Sequence, residues 1–252
     1  MSEYDSFLGS VAVVTGGSRG IGAGIAIALA ERGAKVVVTG RDRRALDGIA
    51  RSIADAGGTV LAVPAELSDE AAVLRLRTET EDAFGSATLV AACAGGGGEP
   101  NPLLEESVER WRATLEANLT SAFMTLRVFL PAMLEARKGA IVMMSSSAGR
   151  QLSGASASYA AAKAGLQSLM RQAAAEAGPS NVRVNAIAPS AIITERLAAA
   201  PDSVRDTIGR GFPLRRIGTV ADIVEATLFL LSDRSPWITG VTLDVAGGKV
   251  ML

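Results

Sequence analysis

Two of the rarest residue types in this chain stand four positions apart. The sequence holds two tyrosines, Tyr4 and Tyr159, and four lysines, Lys35, Lys138, Lys163 and Lys249; a Tyr-x-x-x-Lys spacing arises by chance only roughly 0.03 times in such a chain. On a helix that spacing puts phenol and ammonium on one face, where the positive charge favours the phenolate and lowers a pKa that is about 10 when unperturbed. Tyr159 and Lys163 are therefore a candidate proton-transfer pair, against the plainer reading of a surface tyrosine packed on a lysine stem. Upstream, Ser145-Ser146-Ser147 closes the apolar run IVMM. A hydroxyl at the carboxyl end of a strand can donate to a substrate carbonyl, and serines also cap strand-to-loop turns, so the spacing alone leaves open which serine does which.

A second feature is Thr15-Gly16-Gly17-Ser18-Arg19-Gly20-Ile21-Gly22, directly after the apolar run VAVV and before an Ala/Ile-rich stretch. Glycines at 16, 20 and 22 permit a tight turn and let backbone N–H groups approach a pyrophosphate at a helix N-terminus, so a dinucleotide is the natural ligand. Other chemistries are excluded by what is missing. The chain has no histidine and one cysteine, Cys93. Ser-His-Asp hydrolysis, His-ligated metals, intrachain disulfides and thiolate clusters are ruled out. Cys93 ends an apolar strand and reads as buried filler.

These residues need a scaffold, and the alternation of patterns supplies one. Apolar strands at 11–14, 35–39, 59–63, 88–93, 140–145, 182–187 and 241–245 alternate with helices near 42–56, 69–84, 104–136, 156–177 and 219–232. Seven strands joined by helical crossovers predict a single-domain α/β fold, a doubly wound (Rossmann) parallel sheet with helices on both faces. Gly33, Gly57 and Gly178 stand where helices should end. No linker divides the 252 residues, and an irregular stretch at 190–217, with Pro201 and Pro213, is placed to be a substrate lid. Hydrophobic residues at 48% and charged ones at 20% provide a large core. With 25 basic and 26 acidic residues and no charge blocks, neither nucleic acid nor an anionic membrane is an expected partner. No apolar run approaches a membrane span, and MSEYDSFLGS carries no leader pattern, so a cytoplasmic protein is expected.

Taken together, the motifs resemble the short-chain dehydrogenase/reductase family, in particular its single-domain members typified by 3-oxoacyl-acyl-carrier-protein reductases. The resemblance runs nearly end to end: Thr15 to Gly22, EANLTSAF around Asn118, Ser146, YAAAKAG from Tyr159, VRVNAIAP, and ITGVTLDVAGG. It implies that Tyr159 donates a proton, that Lys163 lowers the phenol pKa and binds the nicotinamide ribose, that Ser146 orients the carbonyl, and that Asn118 holds a proton-relay water. It further implies cofactor contacts from Gly16, Ser18, Arg19, Gly20, Ile21, Gly22, Arg41, Glu66, Leu67, Ala94, Gly95, Pro189, Ile192 and Thr194. Where the family usually has Asn-Asn-Ala-Gly this chain has Ala92-Cys93-Ala94-Gly95, and Ser190 replaces a glycine. The glycine run 95–98 either widens the space near the nicotinamide or is a flexible loop, the second being preferred.

The expected activity is interconversion of a ketone and a secondary alcohol on a small or lipophilic substrate. The alternatives are a 3-oxoacyl-thioester reductase, with Arg137 and Lys138 near a place where such enzymes use a basic residue, and a cofactor-binding sensor without catalysis. NADPH/NADP+ is the expected cofactor: no carboxylate stands at Gly40 to accept from ribose hydroxyls, while Arg19 and Arg41 can converge on a 2′-phosphate. Apolar residues on several faces of the two long helices (Leu115, Leu119, Phe123, Leu126, Phe129 and Leu130; Leu166, Leu169 and Met170), and an apolar C-terminal tail, predict a homotetramer or homodimer.

Overall fold

Strands buried on both faces need apolar side chains at every position; all seven predicted runs form strands, those at 11–15, 89–92 and 139–144 buried almost throughout and the edge strands at 59–64 and 242–245 only in part. A computed structural model describes residues 6–251; Tyr4 and the last residue of the apolar tail, Leu252, lie outside them. In chain order the elements are β1 (Val11–Thr15), α1 (Gly20–Glu31), β2 (Lys35–Gly40), α2 (Arg43–Asp55), β3 (Thr59–Pro64), α3 (Glu70–Phe84), β4 (Leu89–Ala92), α4 (Val108–Leu115), α5 (Ser121–Ala136) and β5 (Gly139–Met144). There follow α6 (Ala157–Ala177), β6 (Val182–Pro189), β7 (Ile192–Ile193), α7 (Glu195–Ala198), α8 (Asp202–Arg210), β8 (Gly218–Thr219), α9 (Val220–Leu231) and β9 (Thr242–Val245). Five helices begin where a short polar side chain accepts a backbone N–H of the first turn: Asp42, Asp69, Ser107, Ser156 and Thr219.

The main sheet is parallel, in the order β3-β2-β1-β4-β5-β6-β9. Val13 pairs with Val37 on one side and Val90 on the other, so β1 is central and the chain reverses direction across the sheet beside it. At that switch the loops after β1 and β4 diverge and open a crevice at the strands' carboxyl ends. Core side chains fill both faces. Helices α3, α5 and α6 cover one with Leu76, Phe129, Met133, Leu166 and Met170. On the other, α1, α2 and α9 contribute Ile25, Leu29, Leu46 and Ile223.

Four expectations are corrected. The long helix begins at Val108, because Ser107 caps it through the Arg110 amide; residues 103–105 form a separate 3-10 turn, and a π-helical turn, Glu116–Thr120, interrupts the α-helix. Gly33 and Gly57 take the left-handed conformation expected after a helix, but Gly178 does not: the chain continues as a 3-10 turn over Gly178–Ser180, and Asn181 makes the left-handed exit. Residues 190–217 are largely ordered, since β7 pairs with β8 and encloses α7 and α8. Finally, Leu126, Phe129, Leu166 and Met170 pack inside the protomer and are not free for an interface; the open apolar side chains of α4 and α5 are Val108, Trp111 and Phe123. The stretch Val108–Ala136 is long and apolar enough to cross a membrane by length and composition, yet it lays Leu126, Val128, Phe129 and Met133 on the sheet.

Candidate active site

The glycine loop is shaped by close approach. A Cβ at Gly22 would lie 2.3 Å from the Gly16 carbonyl oxygen, so the first turn of α1 can fold under the loop only without a side chain. Arg19, the residue before α1, offers no side-chain cap, and the first N–H groups of the helix face the crevice without an internal partner. That crevice is a cleft of about 740 Å³. Of the residues expected to hold a dinucleotide, Gly16, Ser18, Arg19, Ile21, Gly22, Arg41, Glu66, Leu67, Ala94, Gly95 and Thr194 line it. Uncapped N–H groups, a cradle that a Cβ would fill and a long cleft between two diverging loops fit a dinucleotide. Pro189 is buried at the end of β6, and Ile192 lines a separate, smaller cavity with Phe212, Leu214 and Val245.

At the rim, Arg19 pairs with Asp42 at 2.9 Å and Arg41 with Glu66 at 3.9 Å. The Asp42 carboxylate is engaged twice, since its other oxygen accepts the Ala45 amide at 3.0 Å and caps α2. A Cβ at Gly40 would make only ordinary van der Waals contacts, Ser18 Oγ standing 3.7 Å from it.

The three serines after β5 separate by geometry. Ser145 is buried, donates to the Lys163 carbonyl at 3.1 Å and accepts from Gln167 Nε2 at 2.8 Å, so it ties β5 to α6. Ser147 is buried at the start of a 3-10 turn. Ser146 is half-buried; its oxygen accepts the Ala148 amide at 3.2 Å, and its hydroxyl is paired with that of Tyr159. The two hydroxyls are thus neighbours at the carboxyl end of the sheet.

Burial dominates the electrostatics. It pushes the Tyr159 phenol above its ordinary value, against the lowering contact with Ser146, and nearby Glu99 adds to the rise. This corrects the expectation that Lys163 lowers it. The ammonium of Lys163 lies 5.6 Å from the centre of the Tyr159 ring and donates to the Met144 carbonyl at 2.8 Å. Lys163 is itself buried and its pKa is lowered to about 8 by desolvation. The Cys93 thiol, half-buried at the cleft, is pushed up to about 12 by burial, opposed by Lys163, and is neutral rather than reactive.

Asn118 is fully buried in the π-helical turn, whose extra residue per turn rotates its amide towards the 95–98 loop. It accepts the Gly96 amide at 3.0 Å and donates to the Gly96 carbonyl at 2.8 Å and the Thr114 carbonyl at 2.9 Å. The glycine run is therefore a fitted segment. A Cβ at Gly95 would lie 2.4 Å from Asn118 Oδ1, and one at Gly98 2.9 to 3.1 Å from three Tyr159 ring carbons. Gly95 to Gly97 and Glu99 also line the cleft, whereas Asn118, Ser146, Tyr159 and Lys163 do not. The loop thus borders the cleft through Gly95 to Gly97 and the Tyr159 ring through Gly98. The preference for a merely flexible loop is corrected by these contacts.

Sequence reasoning missed Glu106, whose side chain is 3% exposed and bonded to Ser158 in the first turn of α6. The two are 52 positions apart, and no local spacing announces the contact. It also missed Gly149, where a Cβ would lie 2.6 Å from the Lys163 carbonyl carbon.

Comparison with known proteins places this geometry. The family profile described as Enoyl-(Acyl carrier protein) reductase matches residues 16–249. Cis-4-hydroxycyclohexanecarboxylate dehydrogenase of Sinomonas cyclohexanicum is 39% identical over 97% of this chain and 98% of its own. The 3-oxoacyl-[acyl-carrier-protein] reductase of Escherichia coli is 36% identical over 98% and 100%. A crystal structure of a 3-oxoacyl-[acyl-carrier protein] reductase from Brucella melitensis with bound NAD superposes with a TM-score of 0.89 at 31% identity, covering 98% of this chain and 94% of that one. A glycine loop at the switch point and a Ser146–Tyr159 pair beside buried Lys163, in a chain so similar along its whole length, establish that it belongs to the short-chain dehydrogenase/reductase family of nicotinamide-dependent oxidoreductases.

Proposed function

We propose that this oxidoreductase is an NADPH-dependent ketone reductase, interconverting a ketone and a secondary alcohol on a small or lipophilic substrate. The observation that carries the reading is the meeting of the Ser146 and Tyr159 hydroxyls beside buried Lys163. Ser146, its oxygen held by the Ala148 amide, can turn its proton from the Tyr159 oxygen to a substrate carbonyl oxygen. Tyr159 delivers a proton to that same oxygen as the alcohol forms. Burial keeps the phenol protonated at neutral pH, so the proton donor is loaded before substrate arrives. A nicotinamide bound in the cleft supplies the hydride. Asn118 and the loop it braces position the pair, and Lys163 places a positive charge beneath the ring.

The preference for NADPH rests on the rim. Asp42 is the carboxylate nearest in sequence to the end of β2, and both of its oxygens are engaged, one by Arg19 and one by the Ala45 amide. It is poorly placed to accept a ribose diol, while Arg19 and Arg41 offer charge-assisted donors to a 2′-phosphate. Each such bond is worth roughly 1.5 to 3 kcal/mol, so losing Arg41 should weaken NADPH binding by about tenfold. A panel of ketones, including a 3-oxoacyl thioester, assayed with NADPH and with NADH tests both parts. No turnover with any ketone refutes the reaction, and equal affinity for the two cofactors, or an unchanged preference in Arg41→Ala, refutes the cofactor.

The names of two relatives favour a second reading, a 3-oxoacyl thioester delivered by a carrier protein. Arg137, the basic residue considered for that role, sits before β5 at the opposite end of the strands from Tyr159 and donates to the Pro179 carbonyl at 2.9 Å.

A further inference from the structure

Buried carboxylates are costly unless they are bonded, so one held against a catalytic helix calls for a reason. Glu106 lies in the segment between the 103–105 turn and α4. One oxygen accepts the Ser158 amide at 3.1 Å and the other accepts the Ser158 hydroxyl in a short bond. Ser158 is fully buried, adjoins Tyr159 in the first turn of α6, and its hydroxyl also meets that of Ser156, the helix cap. The oxygen that accepts the Ser158 hydroxyl also pairs with Arg110 Nε at 3.8 Å, and Arg110 Nη2 donates to the Glu99 carbonyl at 3.1 Å. Glu99 ends the glycine segment whose Gly98 lies on the Tyr159 ring. One carboxylate is thus joined to both pieces of backbone that confine the phenol: the helix turn that carries it and the loop that covers it.

We propose that Glu106 is a positioning residue for Tyr159, clamping the first turn of α6 through Ser158 and the end of the 95–99 loop through Arg110. A negative charge at a helix N-terminus is stabilising in itself, but an ordinary cap would be satisfied by Ser156, which already accepts the Tyr159 amide. The second anchor to Arg110 is what ties the cap to the loop. The turnover arm of the test rests on the ketone-reductase reading; the exchange arm does not.

Glu106→Gln preserves shape but offers one acceptor where two are needed. Amide hydrogen exchange should rise at Ser158 by about ten- to hundredfold, as befits loss of a charged hydrogen bond, while the distal half of α6 is unchanged. On the reduction of a responsive ketone, kcat should fall by about tenfold or more, with cofactor KM unchanged, because a misplaced proton donor is felt in the chemical step. Ser158→Ala should produce a similar loss, and the double variant no more than either single one, since both break one bond; Ser158→Thr, which restores the hydroxyl, should recover turnover. Exchange at Ser158 that is unchanged in Glu106→Gln overturns the inference whatever the substrate, as does wild-type kcat in that variant, or losses that multiply in the double variant. A wild-type chain silent towards the whole ketone panel overturns the functional reading instead, so the two failures are told apart.

Discussion

Replacing Gly98 with alanine adds one methyl group directly against the Tyr159 ring. Its backbone angles lie outside the range that only glycine adopts readily, so the substitution tests space and not strain. The new carbon would stand 2.9, 3.0 and 3.1 Å from Cδ1, Cε1 and Cγ of Tyr159, against a comfortable carbon–carbon separation of about 3.5 Å or more. Three short contacts to one rigid ring cannot be relieved by a flexible side-chain tip. Either the ring turns away or the loop lifts from it, at an overpacking cost of roughly 1 to 3 kcal/mol. The ring carries the hydroxyl paired with Ser146, and displacement of a reacting group by about 1 Å is worth on the order of a hundredfold in rate. Gly98→Ala should therefore keep its fold, judged by circular dichroism, and lose about ten- to a hundredfold in kcat with the best ketone. Gly97→Ala is the companion measurement: its added carbon meets nothing within 4 Å, but its φ of 85° makes alanine strained. It should cost about 1 to 2 kcal/mol of stability with a clearly smaller effect on turnover. Wild-type kcat in Gly98→Ala, or equal losses in the two variants, would show that the run works as a flexible tether and that its fit against Tyr159 is immaterial.

Tyr159→Phe should retain cofactor binding and lose at least about a hundredfold in turnover, read from nicotinamide absorbance; more than a tenth of wild-type activity would remove Tyr159 from the mechanism. Lys163 makes stability depend on pH in a defined direction: its folded pKa of about 8 lies below the unfolded 10.5, so the folded state binds fewer protons between these values and gains stability as pH rises. In thermal or urea unfolding without cofactor, the wild type should gain on Lys163→Met by up to roughly 3 kcal/mol over that interval, and a pH-independent difference would contradict the buried ammonium. Thr219→Ala opens the capping box that Thr219 forms with Asp222 at the start of α9, and should cost about 1 kcal/mol, a fall of roughly 2 to 4 °C in Tm; an unchanged Tm would place no weight on the cap. Light scattering at micromolar concentration should show a homotetramer or homodimer, for which Val108, Trp111 and Phe123 on α4 and α5, and Trp237, Val241 and Leu243 around edge strand β9, are the exposed apolar candidates; a species near 25.8 kDa alone would refute it.

What could be seen in the sequence was whatever depends on neighbours along the chain. Strands buried on both faces must be apolar throughout, so VAVV, KVVVT and IVMM reveal themselves, and polar caps such as Ser156 and Thr219 mark where helices begin. The Tyr159–Lys163 pair was legible because four residues is one helical turn. The serines were not separable, because Ser145 is distinguished from Ser146 only by Gln167 and the Lys163 carbonyl, on another element. The π-helical turn around Asn118 left no trace either: EANLT is an acceptable α-helical sequence, and its register shift is set by the bonds of Asn118 to Gly96 and Thr114. The pKa expectation failed for a related reason. Spacing puts Lys163 near the ring, but burial acts on both groups at once, raising the phenol and lowering the ammonium.

The departures of this chain from its family pattern acquire a common explanation in the loop after β4. The resemblance leads one to expect an asparagine pair there, whose amides would brace the sheet beside the cofactor; Ala92 and Cys93 can supply no such bonds, and the half-buried Cys93 thiol is held neutral. Bracing is instead supplied from outside the strand. Asn118 holds Gly96 by both its amide and its carbonyl, and Arg110 holds the Glu99 carbonyl while itself pairing with Glu106. These anchors grip backbone, and between them the chain must pass within van der Waals contact of Asn118, Lys163 and Tyr159. A segment fixed at its ends by backbone bonds and pressed along its length against three side chains has no room for a Cβ where it touches them. Glycine at 95 and 98 is then a packing requirement, and the segment is held by side chains of α4 and the π-helical turn.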